Sequence, residues 1–301
     1  MATLQDIKRR IRSVRNTRKI TKAMELVAAA RLRRAEERIV QMREFADRMQ
    51  ELTAGTARAA ASLRGLKLLQ QREPQTVAIV ALTGDRGLAG AFNGQVLRRA
   101  FAIERSLKTE GKQVRWLVVG RKGRSTLEFR RYRLDRAWMG FTERPAYSDA
   151  QAVAHRLAEL YEAEEIDRAV AVYNEYVSPL VQRVTEQQLL PISGEVLTRA
   201  REEERQEQQA MLGDFIYEPE PEQILERLLP VYLETVIYRA LLESSASELG
   251  ARMTAMRNAS SNAGELIDSL TLDLNRARQA EITQEILEVV AGADALTGAG
   301  S

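Results

Sequence analysis

The most constraining feature of the sequence is a long segment at each end that lacks helix-breaking residues. Residues 2–54 contain neither glycine nor proline, and residues 231–291 contain no proline and only two glycines, Gly250 and Gly264. At a rise of about 1.5 Å per residue, these segments predict helices roughly 80 and 90 Å long. Globular helices usually run about 8–20 residues. Each predicted helix must therefore pack along another helix, in this chain or in a partner.

Both segments carry apolar stripes of the coiled-coil type. In the first, Leu4, Ile7, Ile11 and Val14 alternate spacings of three and four, and the pattern resumes further along after shifts of phase. In the second the alternation is sustained, through Leu249, Met253, Met256, Ser260, Ala263, Ile267, Leu270, Leu274 and Ala277. Because one helix ends where the middle of the chain begins and the other starts where it ends, we expect an antiparallel pair. The C-terminal helix should extend at least about ten residues beyond its partner.

The residues between the helices alternate strand and helix patterns. Strands are predicted at 76–83, 113–120, 134–141, 168–176 and 180–192, with helices at 93–110, 125–130 and 148–165. This alternation favours a mostly parallel sheet covered on both faces. The predicted fold is thus an antiparallel coiled coil of long N- and C-terminal helices plus a central Rossmann-like α/β domain. The expected divisions are 1–60, 75–217 and 222–293, with Pro230 kinking or restarting the last helix.

Composition excludes several kinds of chemistry. The chain has no cysteine and one histidine, His155, so disulfides, thiol nucleophiles and Cys- or His-rich metal sites are excluded. No carboxylate pair stands at catalytic spacing, and we predict no catalytic residue, cofactor or metal. Apolar runs are too short to span a bilayer and the N-terminus lacks a signal-peptide pattern, while Thr3 and Asp6 form a helix-capping pair. We expect a soluble, bacterial-type cytoplasmic protein.

The N-terminal helix is strongly basic, with 13 Lys or Arg against 4 Asp or Glu in residues 1–43. Such a helix favours an acidic partner, which could be nucleic acid, anionic lipid or an acidic protein surface. A basic coiled coil that binds nucleic acid therefore remains one alternative. A nucleotide-binding enzyme is another, because the glycine-rich segment 83–94 follows a strand and opens a helix. Its spacing matches neither the dinucleotide nor the P-loop pattern, however, so a tight structural turn is favoured.

Motifs at opposite ends of the chain resemble the γ-subunit family of F-type ATP synthases. Residues 2–24, from Ala-Thr-Leu-Gln-Asp-Ile to Lys-Ala-Met, resemble the family's first helix. The pattern Ile282-Thr283-x-Glu285-x-x-Glu288-x-x-x-Gly292-Ala293-x-Ala295 resembles its C-terminal signature, and segments 87–90, 120–123, 217–219 and 252–256 are similar too. Ala89 and Leu274 stand where many relatives have Cys and Tyr. Without cysteine, the redox switch of chloroplast relatives is not possible here.

The resemblance implies a non-catalytic rotary shaft of F1Fo ATP synthase. Such a shaft couples proton flow through the c-ring to conformational cycling of the catalytic β subunits. Its implied partners are the α and β subunits of the F1 hexamer, the ε subunit and the c-ring, with no nucleic acid, at the cytoplasmic face of the bacterial membrane as a peripheral protein. The implied contacts with ε and the c-ring are Tyr217 and Glu218. Those with the α and β subunits are Lys19, Lys22, Met24, Arg252, Arg278, Gln279, Thr283 and Glu285.

Overall fold

The computed structural model describes residues 3–298 apart from 61, 64 and 193–219, with side chains described to residue 291. Its helices are α1 (Leu4–Ala59), α2 (Phe92–Thr109), α3 (Arg121–Phe129), α4 (Tyr147–Glu162) and α5 (Pro221–Gly298), with a short 3-10 helix at Lys67–Leu69. Its strands are β1 (Thr76–Leu82), β2 (Gln113–Val119), β3 (Leu134–Trp138), β4 (Arg168–Tyr176) and β5 (Gln182–Leu190). The predicted fold class is confirmed.

The five strands form one mixed sheet in the order β3-β2-β1-β4-β5. All pairs are parallel except β4 with β5, so the mostly parallel sheet is confirmed and its antiparallel strand lies at an edge. The central strand β1 is apolar along nearly its whole length because both of its faces are covered. Ala78, Val80 and Leu82 share a core with α4 and the first part of α5, whereas Ile79 and Ala81 share one with α2.

The long helices begin and continue for local reasons. The N–H and hydroxyl groups of Thr3 both donate to the Asp6 carboxylate, and the Asp6 N–H donates to Thr3 Oγ1 at 3.3 Å, which confirms the capping pair. At the other end, a kink or a restart was predicted at Pro230, and the restart is wrong because α5 runs through this proline. Leu229 and Leu233 beside it are almost fully buried. Their apolar packing compensates for the loss of the backbone hydrogen bond that a proline inside a helix cannot make.

The chain divides into two compact units. One, the helical unit, combines residues 1–27 with residues 253–301, and the residues of it that the structure describes form a pair of helices. Ile11 packs with Ile267 and Leu270, while Arg257 Nε donates to Glu25 Oε1 at 3.1 Å. Residues later in α1 therefore contact residues earlier in α5, so the predicted antiparallel pairing is confirmed.

The other, the α/β unit, spans Ala28–Arg252. It contains the sheet, α2 to α4 and the adjoining parts of both long helices. The same antiparallel order holds there, since Arg43 pairs with Glu243 and Arg239 with Asp47. No helix within the described residues carries an apolar stretch long enough to cross a membrane.

Candidate functional site

The sheet order places a switch point between β1 and β4, where a doubly wound sheet would bind its ligand. Here helix α5 occupies that position. Ser247 Oγ donates to the carbonyl oxygen of Asn174 near the end of β4, at 2.9 Å. A Cβ atom placed on Gly84, just after β1, would lie 2.6 Å from the Glu248 carboxylate. A glycine is therefore needed at position 84, because the Glu248 side chain occupies the space that a Cβ atom would take.

A second carboxylate ties together the loops at this edge of the sheet. Asp85 accepts hydrogen bonds from the N–H groups of Arg121 at 3.0 Å, Gly140 at 2.7 Å and Thr142 at 3.2 Å. These are backbone donors of the kind that hold phosphate in nucleotide-binding folds. Since an internal carboxylate already uses them, the structural turn is the better interpretation of the glycine-rich segment.

Glycines on the neighbouring loop are also required by close packing. Gly120 has a φ of +97°, and a Cβ there would lie 2.1 Å from the carbonyl oxygen of Thr83. A Cβ on Gly123 would lie 2.6 Å from Thr83 Oγ1, which accepts the Gly123 N–H at 2.9 Å. This packing lets α3 begin at Arg121, four residues before the predicted start.

Arg252, expected to support the subunit contacts, is buried in this region. Its guanidinium donates to Glu143 Oε1 at 3.1 Å and to Glu248. Burial raises the pKa of Glu248 to about 7, and the contact with Arg252 opposes that increase. Arg31 and Arg86 also pair with the Glu143 carboxylate. We name these five residues the Glu143 cluster: Arg31, Arg86, Glu143, Glu248 and Arg252.

Sequence reasoning missed the acidic members of this cluster. One feature of the sequence could have pointed to Glu248, because it is one of two charged residues in a ten-residue stretch of α5, 241–250, that is rich in serine and leucine and is buried throughout. Glu143 carried none, because it lies in a polar loop whose position depends on the whole fold.

Two of the three predicted contact residues of α1 lie along a basic groove in the helical unit. Lys19 and Lys22 are exposed on its rim, whereas Met24 is half-buried and is not part of its lining. The groove has a volume of about 860 Å³ and is lined by Arg15, Arg18, Lys19, Lys22, Ala23, Leu26, Ser260 and Ile267. A hydrogen bond from Lys22 lowers the pKa of Glu25, and Arg257 adds to this effect. The lining itself has four cationic side chains and no acidic one, so the groove has an excess of positive charge beside exposed apolar side chains such as Leu26.

The predicted contact residues near the C-terminus lie on an exposed part of α5. Every residue from 278 to 291 is exposed, which confirms that α5 extends beyond its partner helix by more than ten residues. Arg278, Gln279, Thr283 and Glu285 all lie in this part, and Thr283 Oγ1 donates to the Gln279 carbonyl oxygen at 2.8 Å. Large apolar side chains are exposed among them: Ile282, Ile286, Leu287, Val289 and Val290. A helix of this composition is typical of a surface that another protein covers.

The sequence profile of the family described as ATP synthase matches residues 3–296. The ATP synthase gamma chain of Rubrobacter xylanophilus is 46% identical, over 98% of this chain and 99% of its own length. That of Nostoc punctiforme is 43% identical over 99% and 100%. The chain belongs to the ATP synthase gamma-chain family.

Solved structures agree with this membership. A chain of the Tetrahymena thermophila mitochondrial ATP synthase central stalk and c-ring has a TM-score of 0.58 at 26% identity, over 80% of this chain and 99% of its own. A chain of the Euglena gracilis mitochondrial enzyme shares the fold, with a TM-score of 0.69 at 19% identity over 99% and 96%. The chain is accordingly a non-catalytic, central-stalk subunit of a rotary ATP synthase.

Two departures from the gamma-chain pattern are accommodated locally. Ala89, where many relatives have cysteine, is 2% exposed, so a small apolar side chain fits a filled site. Leu274, where a tyrosine is common, packs against the apolar contact formed by Ile11, Ile267 and Leu270. The remaining predicted contacts, Tyr217 and Glu218, lie outside the described residues.

His155 lies on α4, and its Nε2 is 3.8 Å from Glu234 Oε1. Within the part of the chain that the structure describes, no group of His, Asp or Glu side chains has a metal-binding arrangement.

Proposed function

We propose that this chain is the rotating shaft of its ATP synthase, and that it transmits c-ring rotation to the catalytic β subunits. One observation carries the proposal. The last turns of α5 with described side chains, residues 278–291, are exposed all around the helix and carry several apolar side chains, so they suit a surrounding protein surface. The α and β subunits of the F1 hexamer would provide that surface.

The mechanism follows from a difference in symmetry. A two-helix shaft has no threefold axis, so it presents different side chains to three chemically identical β subunits. Each β subunit is then stabilised in a different conformation with its own nucleotide affinity. Rotation of the shaft shifts the conformational populations of the three β subunits one after another, so that each site binds substrates and releases product in sequence.

The contacts must also allow movement. Exposed ion pairs contribute only about 0.2–1 kcal/mol each, so they guide a turning helix without holding it in one position. Lys19 and Lys22, on the rim of the basic groove, suit acidic segments of β, with Met24 beside them. Arg278, Gln279, Thr283 and Glu285 would contact loops near the catalytic interfaces, and Arg252 would support them from inside the α/β unit.

The part of the chain around Tyr217 and Glu218 would contact ε and the c-ring. The division into segments 1–60, 75–217 and 222–293 would then separate shaft from foot. The whole subunit would be peripheral to the membrane, at its cytoplasmic face. Copurification from native membranes should recover α, β and ε with the chain in fixed stoichiometry.

The contact residues of α5 are tested by the double substitution Arg278→Ala with Gln279→Ala. In the assembled complex, coupled ATP synthesis should fall severalfold, because both planar polar groups are lost from the contact surface. The helicity of the free chain, measured by circular dichroism, should be unchanged because both side chains are exposed.

A matched control replaces the same two residue types on an exposed face of α2, as Arg105→Ala with Gln95→Ala. This control should leave ATP synthesis near the wild-type rate. Equal synthesis by the two double variants would show that Arg278 and Gln279 have no role in the contact.

A further inference from the structure

Three arginines from three different elements converge on the side chain of Glu143. Arg31 of α1 donates to Glu143 Oε2 at 2.6 Å, and Arg252 of α5 donates to Oε1 at 3.1 Å. Arg86, from the turn after β1, lies with its Nη1 3.4 Å from Oε1. Glu143 itself belongs to the loop between β3 and α4. A single carboxylate thus links both long helices to two loops at the edge of the sheet.

Other contacts of the Glu143 cluster fix its position. Ser245 Oγ of α5 donates to the backbone carbonyl oxygen of Glu143 at 3.0 Å. Arg252 also binds Glu248, whose carboxylate lies against Gly84. The Arg252 side chain is only 7% exposed and that of Glu248 only 2%. These groups are therefore shielded from water and salt, unlike an ordinary surface ion pair.

No other member of the Glu143 cluster can supply the ion pairs that Glu143 makes. Without its charge, Arg252 keeps only Glu248, and Arg31 keeps no ion-pair partner among the described residues. Removing one partner of a buried pair leaves a charge without compensation, which costs more than the pair contributes over an apolar replacement. We therefore expect its replacement to affect two helices that are distant in sequence.

We propose that Glu143 is a positioning residue that fastens α1 and α5 to the sheet, so that force applied to the α/β unit reaches both helices together. Apolar helix packing is non-directional and resists sliding weakly, whereas ion pairs and hydrogen bonds from fixed loops define one position along each helix. The fastening follows from the contacts themselves. Its use in transmitting rotation rests on the proposed function.

The fastening is tested in the free full-length chain by Glu143→Gln and amide hydrogen exchange. Exchange should accelerate at least about fivefold in α5 around Ser245 to Arg252 and in α1 around Arg31, which corresponds to about 1 kcal/mol of lost local stability. Glu159→Gln is the matched control, because the one ion pair that Glu159 makes within the described part of the chain is an exposed pairing with Arg156 on its own helix. Equal exchange in the two variants would overturn the proposal.

A second variant keeps the test decisive if Glu143→Gln fails to fold. Arg31→Gln removes the half-exposed partner alone, and it should accelerate exchange around residue 31 of α1 while α5 stays protected. Unchanged exchange in α1, or equal acceleration in both helices, would contradict the assigned contacts.

The mechanical role is tested in the assembled enzyme by comparing ATP hydrolysis with ATP-driven proton pumping. Glu143→Gln should keep most of its hydrolysis and pump about half as many protons per ATP, while Glu159→Gln should match the wild type. Faster exchange in the free chain with unchanged pumping would overturn force transmission. If the wild-type chain does not support pumping at all, the proposed function fails, whereas the exchange result still stands on its own.

Discussion

The buried carboxylate of Glu248 should give the protein a stability that falls as pH rises. In the native chain Glu248 is 1% exposed and lies against Gly84, with Arg252 as its cationic neighbour and Glu143 and Asp85 as nearby acids. Burial is the largest influence and raises its pKa from 4.5 to about 7. Glu248→Gln keeps the size of the side chain and removes its titration.

The sign and the size follow from linkage. Because the folded chain holds this proton more tightly than the unfolded chain, the contribution of Glu248 to the free energy of unfolding is greatest below pH 4.5 and declines until about pH 7. Each pKa unit corresponds to about 1.4 kcal/mol. Between pH 5 and pH 8 the wild type should therefore lose about 2–3 kcal/mol that the Glu248→Gln variant retains.

The assay is urea denaturation followed by tryptophan fluorescence at the two pH values. Both tryptophans of the chain, Trp116 and Trp138, lie on strands of the unit that contains Glu248, so the signal reports on that unit. Glu159→Gln, an exposed control, should follow the wild type. If the wild type and Glu248→Gln lose stability in parallel, Glu248 does not titrate in this interval and the argument from burial is wrong.

Two further predictions concern the loop after β2 and the helical unit. Gly120→Ala should lower the free energy of unfolding by about 2–3 kcal/mol in urea, because of its positive φ and the contact with Thr83, whereas Gly94→Ala, with open space around its Cβ position, should be neutral or gain up to about 1 kcal/mol. Glu25→Gln should reduce the loss of helical circular dichroism in acid, because a carboxyl with a lowered pKa contributes stability that is present above its usual pKa of 4.5 and lost as pH falls. A variant that loses helicity in acid as the wild type does would contradict this role of Glu25.

The regular elements could be predicted from the sequence because local patterns determine them. The short apolar run of β1 is typical of a strand covered on both faces, and over fifty residues without glycine or proline predict a long uninterrupted α1. The exposed end of α5 also followed from chain connectivity. In each case the deciding interactions lie within a few residues or follow from element length.

The remaining features depend on contacts between residues far apart in sequence. The third strand was predicted to reach residue 141 but ends at Trp138, because the next residues bend so that Thr142 and Glu143 approach the turn after β1. Arg31 and Arg252 each lie more than 100 positions from Glu143. No local pattern identifies such partners. The contact residues on α1 and α5 were predictable as exposed positions, but the surfaces they meet belong to other chains.

The carboxylates at the sheet edge also explain why a doubly wound fold suits a subunit without catalytic chemistry. A ligand crevice must exchange its ligand, so the loops around it must be free to open. In this chain Asp85 binds the backbone of the loops after β2 and β3, and α5 places Ser247 and Glu248 over the ends of β4 and β1. Loops bonded in this way cannot open without losing several hydrogen bonds, most of them to the charged Asp85 carboxylate, and a typical hydrogen bond contributes about 0.5–1.5 kcal/mol and more where the acceptor is charged. The position that serves recognition in nucleotide-binding relatives of this architecture is here a stiff junction between the sheet and a long helix, and stiffness is what a part that transmits rotation requires.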